Sequence, residues 1–125
     1  MTTLEANGVG GWADASERLP ARGVTMYYLL FYDYVENAVE RRAPHRVAHL
    51  QLVGEWASQD RLVLGGAFAE PVDGAVLVFK VDDRRQVEQF VGMDPYVSSG
   101  LVTRWRIRPW TVVVGSALAN EHETG

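Results

Sequence analysis

The 125-residue sequence holds three histidines and no cysteine, so any imidazole chemistry must come from His45, His49 or His122. Thiolate nucleophiles, disulfides and cysteine-ligated metals are excluded. His49 is the first candidate. A free imidazole titrates at about 6.5, which suits it to act as general base or acid near neutrality. Asp94 is a candidate carboxylate, of the type able to accept an imidazole Nδ1 proton, fix the tautomer and stabilise the imidazolium. Each residue also has a purely structural reading. His49 could be a core histidine bonded to a neighbour. Asp94 precedes Pro95, the pattern of an N-cap with proline at the first helical position. A cap also orients a carboxylate, so one residue can do both.

Other residues could serve a ligand. Arg46 lies one helical turn from Arg42 and His49, placed either to hold an anionic substrate group or to pair with Glu55 or Asp60. Tyr96 follows Asp94 closely enough to line a pocket for a flat organic molecule. His45 and His49 are four apart on one helix face, a spacing that can bind metal. No glutamate follows His45 as a metalloprotease would need, and no third ligand is evident, so His45 reads as a substrate contact and no metal is expected. Gly8, Gly10 and Gly11 do not sit in a nucleotide-binding unit, and no cofactor is expected. The net charge of −4 argues against a nucleic-acid partner. Arg104, Arg106 and Arg108 form one basic stripe, which reads as protection of a sheet edge. No apolar run approaches the roughly 18 residues of a membrane span. Glu5, Asp14, Glu17 and Arg18 interrupt any signal-peptide core, so a cytoplasmic location is the expectation.

The elements that must position these residues follow from the hydropathy pattern. Residues 26–34 read as a strand, residues 36–42 as a turn or two of helix, and Pro44 as the opening of a longer helix. In that helix His49, Leu50, Val53, Trp56 and Ala57 are expected to form the buried face. Residues 62–68 and 75–81 read as strands joined by a Pro71–Gly74 turn, with Gly65-Gly66 as a bulge or close backbone approach. Asp83 with Gln86 resembles a capping box. The helix after it has Val87, Phe90 and Val91 as core face and Gly92 as its end. Asp94-Pro95-Tyr96 begins another turn, and residues 101–114 form a long extended run. The arm over 1–23 and the tail over 116–125 flank one domain at 24–115.

Strand, helix, strand, strand, helix, strand is the split pattern of an α+β ferredoxin-like sandwich with an antiparallel sheet. Two helices cover one face of four strands. Yet Tyr27, Leu29 and Phe31 oppose Tyr28, Leu30 and Tyr32, and Val76 and Val78 oppose Ala75, Leu77 and Phe79, so both faces are apolar. A second copy packing on the open face is the economical cover, giving a homodimer.

Arg46-Val-Ala-His49-Leu50, Gly65-Gly66, Asp73-Gly74 and Asp94-Pro95-Tyr96 with Gly100, in that order from about Met26 to Trp110, resemble the YCII-related proteins. The resemblance implies a ferredoxin-like fold that dimerises into an α/β barrel, with a His-Asp pair, here His49 and Asp94, in a pocket. Few members have an assigned reaction, one being dehydrochlorination of chlorinated hydroxyquinols. Two functions are thus expected to compete: cofactor-free proton transfer of elimination or isomerisation type on a small organic substrate, or non-catalytic binding of a small ligand by the same dimer.

Overall fold

The computed structural model describes residues 26–116 and 118. The arm expected over 1–23 lies outside the described residues, as does most of the tail. The elements are β1 (Met26–Tyr34), α1 (Ala38–Arg41), a 3-10 turn (Ala43–His45), α2 (Arg46–Ser58), β2 (Leu62–Ala67), β3 (Gly74–Val81), α3 (Arg84–Met93), α4 (Pro95–Ser98) and β4 (Val102–Trp110). The strands pair antiparallel in the order β2-β3-β1-β4. This is the α+β ferredoxin-like arrangement expected, with the Arg-rich last strand on an edge. No helix among the described residues is long and apolar enough to cross a membrane.

Alternation along the strands decides which side chains meet the helices. Tyr28, Leu30 and Tyr32 of β1, Ala75, Leu77, Phe79 and Val81 of β3, and Ile107 of β4 are buried under α2 and α3. Trp56 of α2, Phe79 of β3 and Phe90 of α3 meet edge to face, with centroids 5.8, 5.4 and 5.1 Å apart. Such contacts add to the area that these large rings bury. The Arg61 guanidinium lies 3.7 Å from the Trp56 ring centre.

Several local expectations need correction. In α2 the residues buried are Leu52 and Trp56, with His49 and Val53 at the rim, whereas Leu50 is 48% exposed and Ala57 is exposed. The true face follows the 49, 52/53, 56 row, and Leu50 and Ala57 lie one residue's rotation beyond it. Gly92 does not end α3, which runs to Met93 and is capped by Asp94. The Asp83 carboxylate caps α3 by accepting from the Arg85 amide at 2.7 Å, but Gln86 reaches back to the Asp82 amide, not that of Asp83. The register shift in β2 lies between Leu62 and Leu64, ahead of Gly65-Gly66. At Gly74 a Cβ would run into the Tyr32 carbonyl oxygen. The final strand stops at Trp110, and Val113 and Val114 are exposed.

The buried row makes Trp56→Ala costly, by about 3–5 kcal/mol, while Leu50→Ala changes stability by about 0.5 kcal/mol or less. Urea unfolding of both variants measures the difference, and equal losses would contradict this orientation of α2.

Candidate active site

The site forms where three separate parts of the chain converge. Tyr32 comes from the helix-facing side of β1, His49 from the first turns of α2, and Asp94 from the junction of α3 and α4. The junction is built by the sequence Asp94-Pro95. Proline fits the first position of α4, where its missing N–H is harmless. Asp94 adopts extended backbone ahead of it and caps α4 by accepting from the Tyr96 amide at 3.0 Å.

The same carboxylate receives two further groups. Its Oδ1 lies 2.8 Å from His49 Nδ1, and its Oδ2 accepts from the Tyr32 hydroxyl at 2.6 Å. Asp94 is fully buried, whereas the His49 side chain keeps 12% of its surface exposed. A carboxylate shut away from water is tolerable only when its lone pairs are used, and here three donors fill them. An ionised acceptor on Oδ1 requires the proton of neutral His49 on Nδ1, which leaves Nε2 as the lone-pair nitrogen.

Tyr96 completes the packing. Its ring stacks parallel on the His49 imidazole, with centroids 3.7 Å apart and planes 3° from parallel. Tyr34 meets Tyr96 edge to face at 6.2 Å. The imidazole is thus held by a hydrogen bond at one nitrogen and a ring against one face.

His45, Arg46 and Tyr96 were the expected substrate contacts. Tyr96 stands against His49. Arg46, exposed on α2, acts electrostatically on the Tyr96 and Tyr34 phenols, as does Arg42. Pairing of Arg46 with Glu55 or Asp60 is not formed. His45 sits one turn from His49 and borders a depression of about 190 Å³ together with Arg41, Ser99 and Leu101. Neither His49 nor Asp94 lines that depression. His122 lies outside the described residues. Among the described residues no three His, Cys, Asp or Glu side chains converge, so His45 and His49 have no third partner with which to hold an ion.

The residue that sequence reasoning missed is Tyr32. It read as one of many core aromatics. The signal was its place on the same strand face as Tyr28 and Leu30, since a tyrosine turned into the core must find a partner for its hydroxyl.

Burial raises the phenols of Tyr32, Tyr34 and Tyr96 above the ordinary value of 10.0, with the nearby Asp94 charge adding to each shift. For Tyr34 the result is about 12, despite the opposing pull of Arg42 and Arg46. A phenol whose folded value is raised stabilises the fold fully below the unfolded value and ceases to do so as pH rises through the folded one. Urea-unfolding stability should therefore begin to fall above pH 10.0 and lose the Tyr34 contribution by about 12. Tyr34→Phe should make that decline shallower, and an unchanged decline would remove Tyr34 as a cause.

The YCII-related domain family matches residues 26–111. An uncharacterised protein of Haemophilus influenzae is 23% identical over 97 residues, covering 70% of this chain and 99% of its own. Among solved structures, 5-chloro-2-hydroxyhydroquinone dehydrochlorinase from Burkholderia phenoliruptrix, in complex with 2,5-dihydroxybenzoquinone, is similar with a TM-score of 0.62 and 19% identity. That likeness covers 70% of this chain and 96% of the dehydrochlorinase. A protein of Bacteroides thetaiotaomicron assigned as an antibiotic biosynthesis monooxygenase has a TM-score of 0.51 at 11% identity, over 73% of this chain and 91% of its own. At these identities the two structures speak for the fold alone. The domain match spans nearly all the described residues, and the chain belongs to the YCII-related family.

Proposed function

We propose that the protein is a cofactor-free enzyme that moves a proton on a small organic substrate, in an elimination or isomerisation, with His49 as general base and acid. The observation that carries this reading is the Asp94 carboxylate held 2.8 Å from His49 Nδ1 and fixed from behind by Tyr32. With Nδ1 engaged, Nε2 takes a proton from substrate, and the buried carboxylate stabilises the imidazolium that results. Asp94 is sealed by its donors, so it acts through the imidazole and is a positioning residue. Tyr96 holds the ring from one face. Arg46 and His45 are the substrate contacts in this reading. The likeness to a dehydrochlorinase that was solved with a flat dihydroxyquinone supports a planar, ring-bearing substrate. The same residues support a second reading, a small-ligand-binding protein without catalysis. What favours it is the depression at Arg41, His45, Ser99 and Leu101, which excludes His49.

The proposed assembly is a homodimer through the outer sheet face. Leu29, Phe31, Val76 and Val78 are only half-buried there, and Leu64 is 69% exposed. Arg106 lies over Phe31 at 4.5 Å and Arg104 pairs with Asp33 at 3.0 Å, which leaves the middle of the face apolar. Burying such a face against its copy is favourable in proportion to the area removed from water.

Three experiments test these proposals. Ring 15N shifts should show neutral His49 as the Nδ1–H tautomer, and Asp94→Ala should return it to the ordinary mixture rich in Nε2–H. Chloride release from 5-chloro-2-hydroxyhydroquinone serves as the activity probe, with His49→Ala expected to be slower by about 10²–10⁴-fold. An unaltered tautomer in Asp94→Ala would sink the pair, and equal turnover in His49→Ala would sink the catalytic reading. For the assembly, sedimentation at micromolar concentration should give a dimer and Val78→Arg a monomer. A compact wild-type monomer would reject the sheet-face interface.

A further inference from the structure

The hydroxyl of Tyr96 is a buried polar group with the Arg46 guanidinium close to its oxygen but no acceptor for its own proton. Tyr96 is 2% exposed, and its hydroxyl has no hydrogen-bond partner of normal geometry among the described residues. Buried hydroxyls are seldom left so, because the lost solvation is not recovered. Tyr34 meets the Tyr96 ring edge-on, with centroids 6.2 Å apart, and the guanidiniums of Arg42, in the turn ahead of α2, and Arg46, at its first residue, act on both phenols. Neither arginine forms an ion pair with a carboxylate among the described residues. Asp94, the buried acid of the site, already receives Tyr32, His49 and the Tyr96 amide. The cluster therefore collects two cations and a buried phenol donor without a matching acceptor. One turn away, Arg41 and His45 border the 190 Å³ depression, adding basic groups to the same side of the molecule.

We propose that Arg42, Arg46 and the Tyr96 hydroxyl form an oxyanion subsite beside His49, and that the ligand is an organic monoanion bearing a carboxylate or enolate oxygen. Charge-assisted bonds from guanidinium to such an oxygen are among the stronger ones available to a protein. The stack of Tyr96 on His49 ties the two functions together, because an oxygen bound at the phenol lies beside the imidazole. The subsite deepens the reading of His49 and Asp94 as a substrate site, yet it can be tested without turnover.

The probe is benzoate, with benzamide as its neutral counterpart of the same shape, titrated by NMR while the Tyr96 and His49 ring resonances are followed. Benzoate should bind saturably and shift both rings, with benzamide weaker by about tenfold or more. Arg42→Gln and Arg46→Gln should each weaken benzoate by about tenfold, Arg46→Lys should restore part of the loss, and Tyr96→Phe should weaken it with the fold intact. Equal binding of the two probes, no binding of either, or indifference to the arginine variants would overturn the subsite. His49→Gln separates the two proposals. Benzoate still binding there while His49→Ala costs no activity would remove the catalytic reading and leave the subsite. An intact Nδ1–H tautomer with no preference for benzoate would remove the subsite alone.

Discussion

The Asp94 carboxylate has no contact with solvent, and the site is organised around the need to satisfy it. Its donors arrive from β1, from α2 and from its own following turn, so the requirement of one buried charge ties together elements far apart in sequence. Removing any donor leaves a buried lone pair unused, which is costly in a low-dielectric interior. The reverse also holds. A carboxylate in this position orders whatever donates to it, and His49 has its tautomer set by that demand.

The cap contact of Asp94 and its contact with the imidazole occur in one geometry. Its Oδ1 accepts from the Tyr96 amide as an N-cap should, and the same oxygen faces the imidazole. The cap brings the carboxylate to a defined place at the start of α4, and Pro95 keeps the chain from drifting there. Tyr32 adds the third anchor from the sheet. Placement of the carboxylate thus comes from a strand and two helix ends.

Much of this was legible beforehand. The apolar runs of β1 and β3, without a helical stripe, foretold the strands, Pro95 marked the opening of α4, and the order of elements implied the sheet, whereas Pro44 lies in the 3-10 turn ahead of α2 and not in its first turn. His49 and Asp94 were singled out as a pair by the resemblance of Arg46-Val-Ala-His49-Leu50 and Asp94-Pro95-Tyr96 to the YCII-related proteins. The mistakes share a cause. Periodicity along α2 could not distinguish Leu50 from Leu52, because a row of apolar residues wide enough to contain both was consistent with the pattern. The glycine at 92 looked like a helix stop because propensity is local, while Asp94 with its buried partners supplied the cap.

Residue type and spacing by themselves determined the elements and the antiparallel ferredoxin-like order, since backbone preference and hydropathy are local properties read one window at a time, whereas the His49–Asp94 pair was implied by the family resemblance. Only the tertiary structure decided that Tyr32 stands behind Asp94, that Tyr96 stacks on His49, and that Arg42 and Arg46 act on its phenol. Those relations join residues separated by up to 62 positions. They depend on strand register and helix rotation, where a shift of one residue turns a side chain to another face.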